Sequence, residues 1–298
     1  MVIDLSKIAF LFPGQGSQHV GMGSELIEDS RVKSLFEAAN ESMGFDLSEL
    51  MFNGPEDELN ATENAQPAIF TDSIARYRLL VDEGNLPDCL LGHSLGEFSA
   101  VVAAGCISFE QGINLVRKRG EITGNVDVEG SMVAVLGVEY TKVEKLINEM
   151  EDPITVANYN SPKQVVISGK QEHLDRGCKK LRQKSAKCIK LDVTGPFHSQ
   201  FMKDAEKELE EYIDKYDFSD PKVPVLSGVS GKIEKSGSRL KKLLSRQMTH
   251  PVNWVDYVKS LSELGVEATV EVGPSATLTK LTERIDPKID GKRFNEVI

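Results

Sequence analysis

One pentapeptide, Gly92-His93-Ser94-Leu95-Gly96, has the residue types and the spacing to carry a nucleophile. The apolar pair Leu90-Leu91 enters it, and small, helix-compatible residues through Ala100 leave it. That is the strand–turn–helix pattern of a nucleophile elbow. The turn is strained, so the residues two before and two after the serine must lack a Cβ, as Gly92 and Gly96 do. Ser94 Oγ is then expected above the end of a sheet, with the backbone N–H of Leu95 aimed at a developing oxyanion. The alternative at this point is a structural glycine turn without chemistry.

A nucleophilic serine needs a base, and the chain has His19, His93, His173, His198 and His250. His93 adjoins the serine and should point away from Oγ, and His173 falls on the exposed face of a helix. His198 fits best, because Gly195-Pro196-Phe197-His198 ends a strand at a junction between two segments of different character, where clefts form. The acid that esterases place between serine and histidine has only Asp192 as a candidate, six residues before His198. A main-chain carbonyl accepting Nδ1–H would serve instead and leave Nε2 free. Among Arg117-Lys118-Arg119, successive side chains diverge by about 100°, so one turns inward while the others are solvated. A fully solvated face is the default for such a run.

These groups must be held by a scaffold. Ile8–Phe12 is a short apolar run ending in Pro13-Gly14-Gln15-Gly16-Ser17-Gln18, read as a buried parallel strand and a loop at the site end of the sheet. The loop lacks the Gly-Lys-Ser/Thr ending of a nucleotide P-loop. Residues 22–52 are helical in pattern, a helix opens at Thr62 and runs to about Asp82 with Gln66-Pro67 at its entrance, and Leu86–Leu91 is the strand into the elbow. From 130 to 195 the order reads strand, helix, strand, strand, helix, strand, the split βαβ unit of ferredoxin-like folds. A long helix then follows from Gln200 to about Tyr216, with a strand at 223–227, a helix carrying Gln247, a further helix, a strand at 268–272 and a peripheral tail after Arg284.

Composition sets the bounds. The 298 residues carry a net charge of −11, which argues against nucleic acid as a partner. No apolar run approaches the ~20 residues of a membrane span, and the N-terminus lacks the basic-then-apolar pattern of a signal peptide. Cys89, Cys106, Cys178 and Cys188 are scattered, without a Cys-x-x-Cys, as free thiols of a reducing cytosol are. A cytoplasmic protein without a metal site is expected.

Seven segments now stand in one order: Pro13–Gln18, Gln66-Pro67-Ala68, Gly92–Glu97, Arg119-Gly120, Asn158-Tyr159-Asn160-Ser161-Pro162, Gly195–Ser199 and Glu271-Val272-Gly273-Pro274. On these the chain resembles the malonyl-CoA–acyl carrier protein transacylases of dissociated fatty-acid synthases, and equally the free-standing acyltransferases that serve polyketide synthases. The resemblance covers nearly the whole chain. It implies an α/β fold: an α/β-hydrolase-like core with a parallel sheet, from 1–128 and 196–298, and an inserted ferredoxin-like unit at 129–195.

The resemblance also implies roles. Ser94 carries the acyl group and His198 is its base, then the acid for the leaving thiolate. Gln15 and Leu95 supply oxyanion N–H groups, and the Gln247 carbonyl orients the histidine. Arg119 grips the malonyl carboxylate with two parallel hydrogen bonds, which a lysine cannot copy. His93, Gln66, Met132, Asn158, Asn160 and Phe197 surround the substrate, Phe197 favouring malonyl over branched units. The substrates are malonyl-CoA and the phosphopantetheine arm of an acyl carrier protein; no tightly bound cofactor and no metal are needed, and a monomer suffices. Carrier proteins are acidic, so Lys163, Lys179, Lys180, Arg182, Lys184, Lys187 and Lys190 form the expected docking face. Fatty-acid and polyketide pathways both remain open, and so does a hydrolase that clears stalled carriers, against which Arg119 argues.

Overall fold

Strands of two kinds sort into two sheets in the computed structural model, which describes residues 7–126, 128–193 and 195–298. The stretch Met1 to Ser6, on which the reading of no signal peptide rests, lies outside the described residues, as do Asp127 and Thr194. The strands are β1 (Ile8–Phe12), β2 (Cys89–Gly92), β3 (Ser131–Leu136), β4 (Thr155–Ser161), β5 (Gln164–Gly169), β6 (Lys187–Lys190), β7 (Val225–Leu226), β8 (Ile233–Glu234), β9 (Ala268–Glu271) and β10 (Asp290–Arg293).

The larger sheet runs β10-β9-β1-β2-β7-β8, parallel except for the β7–β8 hairpin. Its central strands are apolar on both faces because helices cover both. Phe10, Phe12 and Leu90 pack toward Ile69, Phe70, Phe98 and Val116, from the helices Thr62–Asp82, Gly96–Ala103 and Phe109–Gly124. Ala9, Leu11, Cys89 and Leu91 pack on the other side against Trp254, Val258 and Leu278. Parallel pairing, with Phe12 opposite Gly92, places the ends of β1 and β2, and therefore the loops after them, side by side.

The second sheet is antiparallel, in the order β4-β5-β3-β6. Val133, Val135, Val165 and Ile167 take one face, under Val143, Ile147, Leu174, Cys178 and Leu181 of the two helices Tyr140–Asn148 and Gln171–Arg182. The residues between them, Met132, Ala134 and Val166, take the other face with Ala157, Leu191, Val193 and Phe197. Tyr159 N–H donates to the Val252 carbonyl at 2.9 Å, and Val252 N–H to the Ala157 carbonyl at 2.8 Å. These bonds tie β4 to the chain that follows the Gln247 turn.

Four expectations change. Residues 22–32 form turns, and the helices are Lys33–Met43 and Leu47–Asn53. Gln247 is not on the long helix, Gly237–Leu244, but on a separate 3-10 turn, Gln247–Thr249. The last strand of the second sheet stops at Lys190, and Leu191–Val193 become wall residues of a cavity. The tail is not peripheral: β10 pairs with β9, and Ile289, Phe294 and Val297 are buried. Its polar sequence hid a strand that is held by backbone bonds at a sheet edge.

Candidate active site

The elbow forms as its glycines require. A Cβ on Gly92 would lie 1.9 Å from the Gly96 carbonyl carbon, and one on Gly96 would lie 2.0 Å from the Phe12 carbonyl oxygen. His93 N–H donates to that same Phe12 oxygen at 2.9 Å, locking the turn to the end of β1. Ser94 itself adopts φ +53°, a left-handed conformation that side chains rarely take, and the helix Gly96–Ala103 follows at once. Leu95 is buried; its backbone stands at the positive end of this helix.

His198 also has a positive φ, +54°, directly after Phe197. The turn brings its Nε2 to 2.8 Å from Ser94 Oγ. Nδ1 faces the His250 carbonyl at 2.8 Å and the Gln247 carbonyl at 3.2 Å. Carbonyls only accept, so Nδ1 carries the proton and Nε2 accepts from the serine hydroxyl. The orienting group is thus a carbonyl pair, with that of His250 the nearer, and Asp192 takes no part. Burial, with the Arg119 charge beside it, holds the His198 pKa down to about 4, so the ring is neutral at pH 7.

Arg119 is the inward member of its basic run, buried while Arg117 and Lys118 are partly exposed. Nη2 donates to Ser94 Oγ at 3.0 Å and to Gln247 Oε1 at 3.1 Å, and Nη1 donates to Gln66 Oε1 at 2.7 Å. Among the described residues Nε has no hydrogen-bond partner. Among the described residues no carboxylate lies within 4.0 Å of the guanidinium. Burial brings its pKa down to about 10, still well above neutrality, so it remains a cation.

Ser94, His198 and Arg119 open onto a cavity of about 390 Å³ between the two sheets. Gln15, Gln66, His93, Met132, Asn158, Asn160 and Phe197 also line it, so every expected substrate-side residue is brought to one place. Gln15 Nε2 donates to Thr62 Oγ1 at 3.0 Å, which steadies the loop after β1. Gln66 Nε2 donates to Thr123 Oγ1 at 3.0 Å. His93 Nε2 lies 3.0 Å from Asn160 Oδ1, linking the elbow to β4. Burial lowers the His93 pKa.

Sequence reasoning missed Glu97, the carbonyl of His250, and the wall residues Val166, Met202 and Met248. Glu97 had a signal: it is the one Asp, Glu, Lys or Arg between Cys89 and Ala104. The His250 carbonyl had none, since a backbone acceptor carries no residue type. Among the described residues no cluster of three or more His, Cys, Asp or Glu could hold a metal, and no helix is long and apolar enough to cross a membrane. All four cysteines are free thiols.

An α/β chain with Ser94 Oγ 2.8 Å from His198 Nε2 at the carboxyl end of a parallel sheet has the arrangement of an acyl-transfer or hydrolytic site. The family described as acyl transferase domain matches residues 9–293, and the chain belongs to it. It is 40% identical over 292 residues to the malonyl CoA-acyl carrier protein transacylase of Bacillus subtilis (strain 168), covering 96% of this chain and 92% of that protein. An acyl carrier protein S-malonyltransferase from Vibrio cholerae O1 superposes with a TM-score of 0.93 at 38% identity, over 97% of this chain and 96% of that one. A malonyl-transacylase solved in complex with its type II polyketide synthase acyl-carrier protein gives 0.92 at 36% identity, over 97% and 96% of the two chains.

Proposed function

We propose that this enzyme moves a malonyl group from malonyl-CoA to the phosphopantetheine thiol of an acyl carrier protein, for fatty-acid or polyketide synthesis, through an ester on Ser94. The observation that carries the reading is Arg119. A buried guanidinium 3.0 Å from the nucleophile, with Nε unpartnered and no carboxylate within 4.0 Å among the described residues, fits an acyl group that brings one. A hydrolase of neutral acyl chains has no use for it.

The geometry supports the following steps. His198 Nε2 takes the Ser94 proton as Oγ attacks the thioester carbonyl, and the oxyanion meets the backbone N–H groups of Gln15 and Leu95. Collapse breaks the C–S bond, and the imidazolium returns its proton to the departing thiolate. CoA leaves, the carrier thiol enters, and the same steps run in reverse from the seryl ester, a ping-pong course. The cavity lies between the sheets, where Met132, Val166, Leu191 and Phe197 limit water at the ester stage. Nothing in these steps calls for a metal or a redox cofactor.

We read the larger unit, 1–128 and 196–298, as α/β-hydrolase-like and the unit 129–195 as a ferredoxin-like insert; the strand order β4-β5-β3-β6 supports the latter. A monomer of the reducing cytosol, with no nucleic acid or membrane partner, is the matching setting. Lys180, Arg182, Lys184 and Lys187 are exposed, and Lys190 leads directly into the cavity wall at Leu191, which supports docking of the carrier there.

The test is intact mass after separate incubation with malonyl-CoA and acetyl-CoA. A malonyl adduct on the wild type that Ser94→Ala abolishes and Arg119→Ala weakens is the expected result. Free acid released with no lasting adduct would point to a hydrolase, and no adduct with either thioester would overturn the reading.

A further inference from the structure

Glu97 is a carboxylate kept from water on the first turn of the helix Gly96–Ala103, three residues after the nucleophile. Gln247 Nε2 donates to its Oε1 at 2.7 Å, and Gly228 N–H donates to its Oε2 at 2.8 Å. Both oxygens therefore face donors, the complement of an ionised carboxylate. The chain keeps room for it: a Cβ on Gly228 would lie 2.4 Å from Oε1.

The Gln247 amide can face only one way. A guanidinium donates and never accepts, so the Gln247 oxygen must meet Arg119 Nη2, at 3.1 Å. Its two amide hydrogens then go to the Ser94 carbonyl at 2.6 Å and to Glu97 Oε1. The same residue's main-chain carbonyl lies 3.2 Å from His198 Nδ1. One glutamine thus touches the nucleophile's backbone, the arginine and the base, and Glu97 is the one side-chain acceptor among the described residues that anchors its amide nitrogen.

We propose, resting on the acyl-transfer reading above, that Glu97 is a positioning residue of the site: its ionised carboxylate locks the Gln247 amide, which holds Arg119 against Ser94 Oγ. Neither Glu97 nor its backbone lines the cavity, so it acts through Gln247 and not on the substrate.

The role predicts a proton dependence. The titratable groups facing Glu97 are Arg119, from the helix Phe109–Gly124, and Tyr257, from the helix Trp254–Glu263, whose hydroxyl donates to the Gly228 carbonyl at 2.5 Å. The helix Gly237–Leu244, packed on the same helix, buries Leu240, Leu243 and Leu244 and leaves Arg239 and Lys242 exposed. Burial pushes the Glu97 carboxyl up to about 7, against the two donors and the Arg119 charge. Protonation removes the charge that strengthens both bonds, and a proton turned toward either N–H breaks that bond. Acylation should therefore slow as pH falls through about 7, well above the limb set by His198 near 4.

The experiment is the single-turnover rate of Ser94 acylation by malonyl-CoA across about pH 5–9, on the wild type, Glu97→Gln, Gln247→Ala and the double variant, with thermal melts as a folding control. Glu97→Gln keeps the shape but sets a donor against a donor whichever way its amide turns. Expected is a roughly 10- to 100-fold slower rate near pH 8, loss of the limb near 7, and less than about a twofold further effect on the Gln247→Ala background. A wild-type profile that is flat across the whole range from about pH 5 to 9 overturns the proposal without any variant. So does a Glu97→Gln rate within about twofold of wild type, or a full additive loss in the double variant. If the wild type forms no adduct at all, the acyl-transfer reading falls and the positioning role falls with it.

Discussion

Replacing Arg119 by alanine should collapse the preference for a malonyl over an acetyl thioester. The guanidinium is buried, and its three hydrogen bonds go to Gln66, Ser94 and Gln247 at 2.7, 3.0 and 3.1 Å. A malonyl carboxylate entering this cavity leaves water and recovers that loss only from the cation. Leaving one member of a buried charge pair alone costs about 3–5 kcal/mol, or roughly 200- to 5,000-fold in kcat/KM. Acetyl-CoA brings no carboxylate, so its kcat/KM should fall only by the worth of the one charged hydrogen bond to Ser94 Oγ, about 1.5–3 kcal/mol or roughly 10- to 150-fold. Arg119→Lys keeps a charge but not the planar fork. It should fall between the two, roughly 10- to 100-fold down for malonyl, since a charged hydrogen bond is worth about 1.5–3 kcal/mol. The assay is single-turnover acylation followed by intact mass, with both thioesters on all three proteins. Equal losses for malonyl and acetyl in Arg119→Ala would refute the reasoning: the arginine would then serve Ser94 and His198 alone, with no part in choosing the acyl group.

Three further outcomes are expected. Lys180→Glu with Arg182→Glu should slow transfer to the carrier protein about tenfold at low salt and leave acylation by malonyl-CoA unchanged; equal carrier rates would remove this face from docking. Gly92→Ala, which sets a methyl 1.9 Å from the Gly96 carbonyl carbon, should lower stability by about 3 kcal/mol or leave the chain insoluble, and a wild-type melting curve would show that the elbow relaxes freely. His198 titrates at about 4 in the folded chain against an ordinary 6.5. The unfolded chain takes up this proton first as pH falls, so stability drops between 6.5 and about 4, and His198→Gln should flatten that part of a melting-temperature profile. An unchanged slope would mean that the imidazole is not held neutral.

The positions of Ser94, His198 and the inward Arg119 were legible because each is tied to a local rule. Gly92 and Gly96 flank a serine that only a Cβ-free turn can present. His198 ends a Gly-Pro-Phe run, and helical geometry lets only part of the 117–119 run turn inward. The elements were legible where periodicity is strong: β1, the Thr62–Asp82 helix and the β-α-β-β-α-β order all stand as read. They were not legible where backbone bonding alone makes the element, as in β10, or where turns rather than a helix bury the apolar residues, as in 22–32, where Gly23 takes φ +77° and Met22, Leu26 and Val32 are buried.

What the sequence by itself determined is the set of chemical groups and the local turns that expose them, because residue type and near-neighbour sterics are properties of short segments. What only the tertiary structure decided is how groups far apart in the chain meet. Gln247 lies 3.1 Å from Arg119 and 2.7 Å from Glu97 across 128 and 150 residues of chain. The acceptor nearest His198 Nδ1 is the carbonyl of His250, an atom that every residue type carries. Backbone acceptors and the orientation of a buried amide follow from packing between elements, and no pattern along the chain encodes them.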